Sequence, residues 1–283
     1  MTADLTLPRP ASPRLRTPPA GVLLSALVVL AALLAVLAPQ LLTSAEPNAV
    51  DPLNALHAPA ASHPFGTDEV GRDIYTRVVH GARPALIVGV GATVLSVLAG
   101  IALGVLSAVG GRVIGEVVLR VVDILLAFPS LLLALLVIAV LGPGERNALV
   151  AIAGAFVPLY VRLVRVQVLA VLRSGYVEAA VAMGQRRGRV IARHVLPNAL
   201  GPLLALATIG VGTSIIAGSS LSFLGLGPRQ PTAEWGAMLA AGRSYFEVAW
   251  WMSIFPGAAV TLTVIAVTVL GRAVQARFDG RTA

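Results

Sequence analysis

Long uncharged runs alternate with short polar segments along the chain. Pro84–Gly111, Ile124–Gly144, Asn198–Pro228 and Val248–Gly271 contain no Asp, Glu, Lys or Arg. A helix rising about 1.5 Å per residue needs about 20 apolar residues to cross a hydrocarbon core of about 30 Å. The pattern predicts six transmembrane helices: Gly21–Leu42, about Arg83–Val109, about Val118–Leu141, a fourth from Asn147, a fifth after Pro197, and Val248–Gly271. In the fourth, Arg162 and Arg165 are expected to snorkel at the membrane surface while the helix runs on into a polar segment. The uncharged run of the fifth is too long for one crossing, so Ser219–Pro228 is predicted to line a protein-buried loop. The fold class is an all-α membrane protein.

The polar segments divide the chain. Residues 1–20 hold five prolines and three arginines and read as a disordered tail. The apolar stretch that follows exceeds the roughly 7–15 residues of a signal-peptide core, which favours an uncleaved anchor although Thr43-Ser44-Ala45 resembles a cleavage site. Residues 21–82 form the first helix and a turn-rich segment, and 83–283 a five-helix core interrupted by a polar loop, 169–199.

Composition sharpens this picture. The chain is 57% hydrophobic and 12% charged, against about 25% charged in soluble domains. All 21 basic residues are arginines. Fifteen fall on segments that share a side with the N-terminus and six on the opposite side. By the positive-inside rule both termini and Tyr176–Pro197 are expected to be cytoplasmic, and residues 44–82 and 229–247 to face outward. With no separate basic domain and no aromatics beside the arginines, nucleic-acid binding is not expected. The absence of cysteine excludes disulfides and thiolate sites, and the absence of lysine excludes an ordinary Walker A loop.

Several local patterns have structural readings. Ala92, Ser96, Gly100, Gly104 and Ala108 recur every four residues and form a smooth packing stripe, within the subunit or against a partner. In His63–Asp73, His63, Asp68, Glu69 and Asp73 are of metal-ligating types, but capping by Thr67 or Asp68 and an Asp68–Arg72 pair are favoured over metal. Asp123 is expected to pair with Arg120 rather than relay protons. Pro129 and Pro158 are expected to kink their helices, and Trp235, Trp250 and Trp251 to sit in an interfacial aromatic belt.

The arginine-rich stretch YVEAAVAMGQRRGRVIARHVLPNALGP, Tyr176–Pro202, is predicted to form a short helix, a bend at Gly184, a second flexible point at Gly188, and a helix resuming over Arg189–Val195. Physics alone leaves two uses open: a connector held on anionic lipid, or a docking surface for a soluble partner.

This stretch resembles the EAA loop of ABC-importer permease subunits, E-A-A-x3-G-x9-I-x-L-P. Glu178, Ala179, Ala180, Gly184, Leu196 and Pro197 match in full spacing, and His194 replaces the isoleucine. HPFGTDEVGRDIYTRVVHGAR (His63–Arg83), DILLAFPSLLLAL (Asp123–Leu135), LSFLGLGPRQPTAEWGAML (Leu221–Leu239) and FPGAAVTLTVIAVTVLG (Phe255–Gly271) resemble, in the same order, the second-permease type of dipeptide and oligopeptide importers. The resemblance spans about Gly21–Phe278; Arg272 departs from the acidic residue expected there. It implies a type I ABC importer permease fold and a non-catalytic, multi-pass subunit of the cytoplasmic membrane. ATP and Mg would be bound by two cytoplasmic ATPase subunits and no cofactor by this chain. The further partners implied are a second, homologous permease, an extracytoplasmic substrate-binding protein and membrane lipid. Glu178, Ala179, Ala180, Gly184, His194, Leu196 and Pro197 would couple to the ATPase. Leu221, Phe223, Gly225, Gly227, Glu234 and Trp235 would face the outer cavity and the binding protein. The same machinery importing nickel, an opine or another peptide-like solute, and an ion-coupled secondary transporter, are the alternatives; a purely structural membrane scaffold is weaker still.

Overall fold

A computed structural model describes residues 20–279; nearly all of the expected disordered tail lies outside these. The helices are α1 (Ala20–Leu37), α2 (Ile74–Val109), α3 (Arg112–Leu126), α4 (Ser130–Leu141), α5 (Glu145–Leu172), α6 (Gly175–Ala182), α7 (Arg187–Val190), α8 (Leu196–Phe223), α9 (Trp235–Arg243) and α10 (Trp251–Asp279). Five stretches are long and apolar enough to cross a membrane, and the bent pair α3–α4 makes a sixth if it counts as one crossing.

Two helix boundaries differ from the sequence reading for identifiable reasons. The second span begins at Ile74 rather than near Arg83, because Asp73 caps it: the Thr76 N–H and hydroxyl donate to Asp73 Oδ2 at 2.8 and 2.6 Å. Pro84 is carried inside the continuous helix. The third span is two helices bent by 95°. Pro129 lacks a backbone donor and biases Phe128 away from helical backbone, so α3 ends before it and α4 begins after it.

The small-residue stripe of α2 is spent within the chain, on α5. Ala92, Ser96, Gly100 and Gly104 are buried, the Ser96 hydroxyl donates to the Ala153 carbonyl at 3.0 Å, and Gly100 faces Tyr160. With no hydrophobic drive between helices in lipid, this close backbone approach is what holds such a pair together.

One end of the bundle is closed by the segment after α1. The Thr67–Asp73 bridge folds it into a hairpin-like turn, within which Asp68 pairs with Arg72 at 2.6 Å. The i, i+4 pair expected from sequence is therefore present, on a turn rather than a helix. Arg77 joins three segments through Asp68 (3.8 Å), the Pro47 carbonyl (3.0 Å) and the Pro231 carbonyl (3.5 Å). Trp235 and Trp251 belong to this buried end, their indole N–H groups donating to the Val78 and Thr67 carbonyls at 2.8 and 3.0 Å. These two tryptophans are core residues, not members of a lipid-facing belt; Trp250 is exposed.

Candidate functional site

The opposite end carries the polar loop. α5 runs on through Arg162 and Arg165 to Leu172, and Ser174 starts α6. Val177 and Ala180, three residues apart on one face, pack with Val168, Val190, Val195 and Leu203. Each fully buried valine contributes about 1.5–3 kcal/mol relative to exposure, so this face anchors the helix. The other face is free: Tyr176, Glu178, Ala179 and Met183 are exposed, with Met183 at 75%. Glu178 in the first turn suits the positive end of the helix dipole.

Gly184 ends α6. Its φ is +79°, the Gly184 N–H donates to the Val181 carbonyl at 2.9 Å and the Gln185 N–H to the Ala180 carbonyl at 3.2 Å. This is a Schellman turn, which needs the left-handed backbone glycine adopts without strain. Gly188, expected as a second flexible point, lies inside α7. The helix from α7 passes through a π-turn, Ile191–Val195, into α8. The π-turn lets Pro197 sit at the start of α8 without interrupting it, and the Asn198 side-chain amide donates to the His194 carbonyl at 2.6 Å. The elbow thus has one joint. His194 is half-buried, its ring edge-on to Tyr176 at 6.5 Å, and Leu196 is half-buried and Pro197 exposed. Behind the elbow lies an open cavity of about 460 Å³ lined by Ala108, Val109, Leu172, Val181, Val190 and Ile191, with Arg187 among them.

The outer-facing set is split by the structure. Phe223 and Gly225 are exposed, whereas Leu221, Gly227, Glu234 and Trp235 are buried within the chain. Glu234 caps α9, accepting from the Ala237 N–H at 2.8 Å. Burial raises its carboxyl above the ordinary range, opposed by donations from the Gly236 and Ala237 N–H groups and the Ser222 hydroxyl. These four buried residues shape the loop that presents Phe223 and Gly225.

Sequence reasoning missed the cross-helix pairs of α5. Asp123 takes Arg162 as its partner, not the expected Arg120; the bend at Pro129 turns α3 across α5 and brings them together. Arg165 donates to the Ser107 carbonyl and hydroxyl on α2. No local spacing encodes partners so far apart in the chain.

Membrane-length helices locked by small residues, with a jointed helix exposed at one end, define an integral membrane protein. The chain belongs to the family described as the binding-protein-dependent transport system inner membrane component, which matches residues 100–283. The dipeptide transport system permease protein DppC of Alkalihalophilus pseudofirmus is 43% identical over 247 residues, covering 87% of this chain and 81% of that protein. The probable D,D-dipeptide transport system permease protein DdpC of Escherichia coli is 40% identical over 265 residues, covering 94% and 89%. The inward-facing MetNI methionine ABC transporter shares the fold, with a TM-score of 0.58 at 20% identity over 72% of this chain and 95% of that one. The fold is that of the type I ABC importer permeases.

Proposed function

We propose that this chain is one of two different permease subunits of an ATP-driven importer of di- and oligopeptides, with both termini and the elbow cytoplasmic. The observation that carries this reading is the two-faced α6. Its buried face packs on α5 and on α7, which runs on into α8, while its other face, ending at the Gly184 turn, is presented outward. Arginine counting puts that end inside. Relatives named for dipeptide transport supply the substrate class.

In this mechanism an extracytoplasmic binding protein delivers peptide to the mouth beside Phe223 and Gly225. Two ATPase subunits bind ATP and Mg and close. The exposed face of α6, with Glu178 and Ala179, sits in a groove of one of them and follows its movement; Gly184 sets the angle at which the helix is offered. The anchored face transmits the movement to α5 and α8, and the cavity behind the elbow gives α6 room to tilt. This chain carries out no covalent chemistry: it has two states, and its partners shift the balance between them.

The test is uptake of a labelled dipeptide into proteoliposomes holding the complete transporter, with ion gradients collapsed by ionophores. Uptake that persists and requires ATP supports the reading. Uptake that disappears with the gradients points to an ion-coupled carrier instead.

A further inference from the structure

We infer that α3 is not part of a crossing but an amphipathic helix lying in the headgroup boundary of the leaflet on the elbow side, with lipid as its partner. Three observations converge. The first is orientation. Ser130, Leu131 and Ala134 of α4 share a cavity wall with Ile152, Ala155 and Phe156 of α5, and the Asn147 amide donates to the Leu141 carbonyl at 2.8 Å, so α4 runs antiparallel along α5. α3 is bent 95° from α4 and therefore lies across the bundle.

The second is depth. Arg162, which holds Asp123 of α3, is 17 residues beyond Glu145. That is about 25 Å along α5, close to the far side of a hydrocarbon core of about 30 Å.

The third is polarity around the helix. Arg112, Glu116, Arg120 and Asp123 share one stripe. Glu116 pairs with Arg112 at 2.9 Å and Asp123 with Arg162, while Arg120 has no ion-pair partner among the described residues. A second stripe, Val113, Val117, Val121 and Ile124, is more than half exposed at every position. The remaining side carries the buried Gly115 and Val122 against the bundle. A helix with adjacent apolar and arginine-bearing stripes at this depth fits acyl chains below and lipid phosphates above.

The chain has no native cysteine, so single cysteines can be introduced at Val113, Val117, Val121, Ile124, Glu116 and Arg120 in the complete transporter. Spin labels attached in lipid nanodiscs then report accessibility to oxygen and to a water-soluble nickel chelate. The inference expects labels at Val113, Val117, Val121 and Ile124 to share one shallow depth, about 5–10 Å below the headgroup level, and labels at Glu116 and Arg120 to be open to the chelate. A depth that increases steadily by roughly 16 Å from Val113 to Ile124, as 1.5 Å per residue gives, would overturn it in favour of a crossing. Exclusion of both reagents from the four aliphatic positions would overturn it in favour of a protein partner. Six separate variants keep the result independent of any one that fails to assemble.

Discussion

Gly104 of α2 lies so close to Val164 of α5 that a Cβ placed on the glycine would stand 2.7 Å from the Val164 Cβ. The two helices meet backbone to backbone along the stripe from Ala92 to Gly104, and α5 continues directly toward the elbow. Any strain introduced here is therefore placed on the element that carries α6. Gly104→Leu is expected to destabilise the bundle by about 1–3 kcal/mol through overpacking. A thermal-unfolding series with Gly104→Ala intermediate between wild type and leucine checks it; an unchanged midpoint for leucine would show that the helices are free to separate.

Asp68 and Asp73 stand five residues apart but do different work. Asp73 is a helix cap, and Asp73→Ala is expected to cost about 0.5–2 kcal/mol. Asp68 is buried between Arg72 and Arg77, themselves buried. Asp68→Asn leaves the buried Arg77 without its one carboxylate partner among the described residues, while Arg72 keeps Glu69 at 3.2 Å, for a loss of about 3–5 kcal/mol. The ranking of the two midpoints is the check.

The Asp123–Arg162 pair is half exposed on both sides, and exposed pairs contribute about 0.2–1 kcal/mol. A double-mutant cycle between Asp123 and Arg162 is expected to give a coupling in that range. The cycle between Asp123 and Arg120 is expected to give none, since no contact joins them among the described residues.

Glu234 yields a pH dependence. Its carboxyl is raised by burial, so between the ordinary and the raised value the folded chain holds a proton that the unfolded chain has lost. Stability therefore falls as pH rises through that window and is level above it. Glu234→Gln keeps an oxygen for the Ala237 N–H without the charge. Its thermal midpoint is expected to equal or exceed that of wild type at neutral pH, with the difference vanishing toward about pH 4. A lower midpoint at neutral pH would mean that the ionised cap outweighs its desolvation.

The helices and the elbow were legible in the sequence because their signals are local. Uncharged runs mark spans, and the spacing from Glu178 to Pro197 marks the elbow with its Gly184 joint. Contacts between distant segments were not legible. Trp235 and Trp251 look like belt residues until Val78 and Thr67 offer their carbonyls. Asp123 has a plausible partner one turn away until the bend at Pro129 presents it to Arg162. Gly188 reads as a hinge by residue type alone, but no left-handed backbone is required there, and it stays helical.

The central claim is that the exposed face of α6, set by the Gly184 turn, transmits an ATPase's movement to the bundle. Its most direct test is Gly184→Glu in the reconstituted transporter, with ATP hydrolysis and peptide uptake measured on the same proteoliposomes. Gly184→Asn, which tolerates the left-handed backbone, serves as the control. The space around Gly184 is open, so insertion and assembly are expected to be retained. The account predicts that the glutamate variant hydrolyses ATP yet loses uptake, while the asparagine variant keeps most of it. Wild-type uptake by Gly184→Glu would contradict it.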